Sequence, residues 1–129
     1  MIKYSGHFLI ATGIIHNLIG LLMGWPILTA MHQEAWFAST VLDGNMLFDR
    51  EAIIWFLTSG TFWIAFGLTL KKLLAEGFIP PSSLGWSFIA IGMALVIIMP
   101  ASGAYLFVLQ GALLVYGCKK LTTAQQVAA

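Results

Sequence analysis

Apolar residues run through this chain in four long blocks, with the polar residues gathered between them. The blocks cover about residues 8–28, 52–70, 82–99 and 101–118. Each approaches the roughly 20 residues that an α-helix needs to cross a hydrocarbon core about 30 Å thick. Blocks three and four are separated only by "PASG", so Pro100 and Gly103 must turn a tight antiparallel hairpin. The pattern predicts an all-α fold: an integral membrane four-helix bundle forming one domain over residues 1–129.

The only long connection, residues 29–51, has its own pattern. Met31, Ala35, Trp36, Ser39 and Leu42 fall near one helical face, which predicts a short interfacial helix lying on the bilayer. "DGN", Asp43 to Asn45, then turns the chain back. At the mouth of the second span Asp49 is expected as N-cap with Glu51 behind it, negative charge suiting the positive end of the helix dipole. An alternative reading makes Arg50 and Glu51 a lid over a cavity opening outward, with Trp55 beside them at the outer mouth.

Composition makes the membrane reading firmer. Of 129 residues 60% are hydrophobic and 9% charged, with a mean hydropathy of +0.92, against about 25% charged residues in soluble domains. Lys3, Lys71, Lys72, Lys119 and Lys120 collect on one side if both termini are cytoplasmic, leaving Arg50 alone on the other. By the positive-inside rule the chain is N-in and C-in. That asymmetry argues against small exporters that insert in both orientations. The first block exceeds a signal-peptide core and is expected to remain attached. Trp25, Trp36, Phe48 and Trp55 suit an outer aromatic belt, Trp86 and Tyr116 an inner one. A net charge of +1 and no basic run longer than two give no reason to expect nucleic acid.

Helices in lipid associate through small residues and interhelical hydrogen bonds. Gly13, Gly20 and Gly24 share a side of the first span with His16 and Asn17, and this stripe should face protein. Glycines at 60 and 67, 85 and 92, and 103 and 111 offer matching grooves. His7, nine residues before His16, points to the opposite side and belongs to the wet inner edge. Counted from the inner ends of their spans, His16, Gln110, Thr61 and Gly92 reach about the same depth, roughly 12–15 Å. Ser59, Thr58 and Asn17 flank that level.

Two readings of this polar layer stand side by side. In one, His16, Asn17, Thr61 and Gln110 hydrogen-bond one another and set helix register. In the other, the layer lines a small cavity, Gly92 leaves it room, and His16, Asn17, Thr61, Gln110 and Ser59 bind a guest. Haem b would need axial ligands from opposite sides, and His7 and His16 diverge on one helix. His16 paired across a dimer, or with Met93, is what haem ligation would require. No catalytic group is predicted: a second intramembrane carboxylate, a serine with matching His and Asp, and a cysteine pair are all missing from the sequence. Cys118, the single cysteine, forms no disulfide within the chain, and no metal site is expected.

The strings "SGHFLIATGIIHNLIG", "REAIIWFLTSGTFWIAFGL" and "PPSSLGWSFIAIGMALVIIMPASGAYLFVLQG" resemble a family of small bacterial four-helix membrane proteins of unknown function. The likeness covers about Ser5 to Gly117 and rests on Gly6-His7, His16-Asn17 and the Met-Pro-x-Ser-Gly turn. It implies that architecture and a bacterial inner membrane, and it carries no activity to transfer. In layout alone the chain is also similar to DoxX-like proteins, accessory subunits of membrane redox systems. The function expected is a non-enzymatic binding or accessory protein of the inner membrane, whose layer near His16 holds a small apolar ligand, lipid or quinone-like, or a partner helix. The alternatives are a redox protein binding haem b or quinone through His16, and an oligomeric small-solute transporter. Its partners would be the lipid bilayer and a second copy of the chain or another membrane protein.

Overall fold

A computed structural model describes residues 2–128. After a 3-10 turn at Ile2–Tyr4, α1 runs Ser5–Gln33, α2 Phe48–Ala75, α3 Ser82–Ile98 and α4 Tyr105–Ala128. Two-residue strands β1 (Val41–Leu42) and β2 (Asn45–Met46) sit between α1 and α2. The chain is therefore all-α apart from one minimal hairpin. It divides into two compact units, Ala11–Ile64 and the remainder, with α1 and α2 contributing to both.

Local chemistry explains the helix ends. Pro100 disfavours helical geometry at the residue before it, and α3 stops at Met99, whose φ of −132° and ψ of 70° leave the helix. The connection to α4 is wider than the expected "PASG" hairpin. Ser102 N–H bonds to Met99 C=O, Ser102 Oγ accepts from the Ala104 amide, and α4 begins only at Tyr105, four residues later than the fourth apolar block. At the end of α2, Gly77 adopts a φ of +84°. The Phe78 amide reaches Leu73 C=O and the Gly77 amide reaches Leu74 C=O, a Schellman closure that satisfies two terminal carbonyls.

The predicted interfacial helix is absent from the described connection. Instead α1 continues to Gln33, and the chain then bends through Ala35, Trp36 and Ala38, all at positive φ. Asp43 and Gly44, both at positive φ, form the two-residue turn between Val41–Leu42 and Asn45–Met46. Positive φ at both central positions is the I′ geometry that matches strand twist. The periodicity misled because a β-branched Thr-Val pair leading into Asp-Gly favours a hairpin over another turn of helix.

In the unit Ala11–Ile64, α1 and α2 pack antiparallel along the predicted glycine stripe. A Cβ on Gly13 would lie 2.7 Å from the Gly60 carbonyl oxygen, and one on Gly20 would strike Phe56 and Leu57. At Gly24 the occupant is Ile53. In the other unit the beginning of α1 meets the end of α2 at Gly6 and Gly67, where each glycine would place a Cβ under 3 Å from the other's carbonyl oxygen. There α3 and α4 pair antiparallel through Gly85 and Gly111 in the same reciprocal way. Phe88 links them further, its ring stacked 6.1 Å from Phe66 of α2 and 5.7 Å from Phe107 of α4.

Such contacts leave no space for a methyl group without moving backbone. Gly60→Val and Gly111→Val should each destabilise the fold by about 1–3 kcal/mol or more, measured by thermal or denaturant unfolding. Gly103→Ala, where an added Cβ meets nothing within 4 Å, should leave stability nearly unchanged.

Candidate binding site

His16 and Asn17 occupy the α1 face that the glycines bring against α2. Its ring stacks on Phe56 with centroids 3.7 Å apart and an interplanar angle of 13°, and lies 4.5 Å from the Trp63 ring at 51°. His16 Nε2 lies 3.0 Å from the Phe56 carbonyl oxygen. A carbonyl only accepts, so Nε2 carries a proton, and in the neutral ring the lone pair then lies on Nδ1. Next to it, Asn17 Nδ2 donates to Thr61 Oγ1 at 3.2 Å, and the Thr61 hydroxyl donates to Leu57 C=O at 2.9 Å. Asn17 Oδ1 is buried over Gly60 with no hydrogen-bond partner among the described residues. Both His16 and Asn17 are half-buried, so this edge of the pair is reachable from outside.

The remaining candidates fall out differently. Ser59 returns its hydroxyl to Trp55 C=O within α2, satisfying itself locally. Gln110 lies in the other unit at 1% exposure, and its Nε2 donates to Ser5 Oγ at 2.6 Å. The expected register-setting bonds of the layer are thus two separate pairs, Asn17–Thr61 and Gln110–Ser5. Ser5 is fully buried at the first residue of α1, and a count that starts α1 at Phe8 overlooks it. Gly92 leaves no room for a guest, because Val108 and Phe107 of α4 already fill the space beside it. A cleft of about 570 Å³ does occur in that unit, lined by Ile79, Pro80, Pro81, Ser82, Cys118, Lys119 and Thr123.

At the expected mouth, Arg50 is the organising residue. Its guanidinium grips both carboxylate oxygens of Glu34, with Nη2 to Oε1 at 2.8 Å, and Nη1 also donates to Ser39 C=O at 2.6 Å. Arg50 is 11% exposed at its side chain, Glu34 43%. Asp49 is not the N-cap: α2 begins at Phe48, and the Leu47 carbonyl accepts from the Arg50 and Glu51 amides. Asp49 and Glu51 instead sit in the first turn, still favourably placed for the helix dipole. Trp55 is 66% exposed. Sequence reasoning missed Glu34, although the one arginine on a side otherwise rich in acids was a signal that it would be paired.

The bidentate pair holds down a strained segment. Left-handed backbone at Ala35, Trp36 and Ala38 costs on the order of 1–3 kcal/mol per residue, and Arg50 ties the chain on both sides of it, at Glu34 and Ser39. Trp36 adds an indole N–H bond to His32 Nδ1 at 3.0 Å. Hydrogen bonds from Arg50 hold the Glu34 carboxyl below its ordinary range, and the same bonds raise Arg50.

Fold and site together define an all-α protein of four helices, two of them long and apolar enough to cross a membrane. A family profile described as "Family of unknown function (DUF6463)" matches residues 1–120, and the chain belongs to that family. No curated protein and no solved structure matches it, so neither comparison carries the similarity in layout to DoxX-like proteins.

Because the folded-state pKa of Glu34 is depressed, its pairing contributes stability above the ordinary value of 4.5, lost as pH falls through the lower folded value. Unfolding followed from pH 7 to pH 3 should show this loss below about pH 4.5, and Glu34→Gln should remove that part of the pH dependence. In a double-mutant cycle Ser5→Ala and Gln110→Leu should be non-additive by about 0.6–2 kcal/mol.

Proposed function

We propose that this chain is a non-enzymatic binding or accessory protein of the bacterial inner membrane, and that the α1–α2 face at His16, Asn17 and Thr61 takes a small apolar ligand bearing a hydroxyl group. Hydroxyl-bearing lipids and quinone-like molecules in their quinol form are the class that fits. The observation that carries the reading is His16 itself. Its Nε2–H is committed to the Phe56 carbonyl and its ring is held against Phe56 and Trp63, which leaves Nδ1 as an oriented acceptor on a half-buried edge. In lipid such a group attracts a donor strongly, because no water competes for it.

Membrane insertion is supported by the outward faces. Leu22, Met23, Trp25, Trp55, Phe62, Ile97 and Ile98 are all more than 60% exposed, apolar surface that suits acyl chains better than water. Lys3, Lys71, Lys72, Lys119 and Lys120 support an orientation with both termini cytoplasmic. Haem b suits the site poorly: with Nε2 donating a proton, iron would have to approach Nδ1, crowded by the ring's own Cβ.

Mass spectrometry of the detergent-extracted protein should find a co-purified lipid or quinone that is depleted at least several-fold in His16→Leu. If wild type and variant carry the same molecules, and added phosphatidylglycerol or ubiquinol shifts both unfolding temperatures equally, the assignment to His16 fails. A Soret band that shifts on dithionite reduction would establish the haem reading in its place.

A further inference from the structure

The connection between α1 and α2 carries an exposed apolar cluster with no partner in the described structure. Phe37 is 92% exposed and Phe48 75%, while Trp36, Val41, Leu42 and Met46 each lie between 47% and 51%. This cluster is held in shape rather than loosely displayed. Ala35, Trp36 and Ala38 are non-glycine residues in left-handed conformation, and Arg50 bonds to Glu34 before them and to Ser39 after them. Ser39 and Met31 are buried beneath, at 5% and 2% exposure. Trp36 spends its indole N–H on His32, so its ring needs no water and presents apolar surface.

Helix length places this cluster. α1 spans 29 residues, about 43 Å at 1.5 Å per residue. If hydrocarbon begins near Phe8 and takes about 20 residues to cross, Gln33 lies roughly 7 Å beyond its far edge, within the headgroup layer. The exposed apolar band of Leu22, Met23, Trp25 and Trp55 leads along both helices toward it. Resting on the membrane-spanning reading above, we propose that the segment 34–40 is a membrane-surface anchor, in which the Arg50 clasp fixes a left-handed chain path that turns Trp36 and Phe37 into the lipid headgroup region. The clasp also neutralises Glu34, the acid closest in sequence to Trp36 and Phe37, as a residue at that depth requires. Asp43 at the tip of the hairpin stays in water.

Spin labels test the depth directly. Single cysteines at Leu22→Cys, Phe37→Cys and Asp43→Cys, in a Cys118→Ala background, are labelled with a nitroxide. The protein is reconstituted into phosphatidylcholine and phosphatidylglycerol vesicles, and collisions with oxygen are compared with those of a water-soluble nickel chelate. If Cys118→Ala fails to fold, the buried wild-type Cys118 is left in place. The label at 22 should favour oxygen and that at 43 nickel. The label at 37 should favour oxygen at a shallower depth, and Glu34→Gln should shift it at least several-fold toward nickel while circular dichroism shows the helices unchanged. A label at 37 as nickel-accessible as that at 43, with 22 in lipid, overturns the anchor and leaves the spanning reading standing. Shielding of 37 from both reagents overturns it in favour of a protein partner. No response to Glu34→Gln overturns the role of the clasp. Nickel access at 22 as well overturns both the anchor and the membrane reading.

Discussion

Backbone touching backbone at paired glycines is the constraint from which the rest of this structure follows. Where Gly13 meets Gly60, Gly6 meets Gly67 and Gly85 meets Gly111, helices approach until a single added carbon would collide with a carbonyl or an amide. Close approach multiplies dispersion contacts, each small and together large, and in lipid it replaces the hydrophobic drive that holds soluble helices together. It also determines where polar side chains can go. Asn17 lies over Gly60 only because that glycine has no side chain, and the same vacancy lets the His16 ring lie flat on Phe56 within reach of its carbonyl.

Polar groups near such contacts face a strict choice, since a buried donor or acceptor without a partner is costly. Thr61 and Ser59 bond to carbonyls one turn back, while Gln110 donates to Ser5 and keeps its buried Oε1 unpaired among the described residues. His16 differs because its two nitrogens have unequal situations. One is fixed by the Phe56 carbonyl, which orients the ring, and the orientation of the other, Nδ1, follows from it.

Much of this was legible in the chain. The stripe of Gly13, Gly20 and Gly24 was read as a protein-facing surface, because spacing on a rigid helix is a local property, and α2 does cover it. The four helices lie close to the four apolar blocks for the same reason. Depth counting was less secure. It placed Gln110 and Gly92 in a layer with His16, but Gln110 found Ser5, a residue that precedes the apolar block, and Gly92 was filled by Val108 and Phe107. Similar distance from a span end says nothing about which helix faces a side chain.

Hydropathy and spacing by themselves determined the helical class, the number of helices and the face of α1 that would be covered, since each depends on residues a few positions apart. Tertiary structure alone decided the pairing of Arg50 with Glu34, the left-handed path through Ala35 and Trp36, and the hairpin that replaced an expected surface helix. Those features join groups far apart in sequence. Positive φ at alanine and tryptophan opposes local preference, so it holds only when contacts from elsewhere in the chain outweigh it.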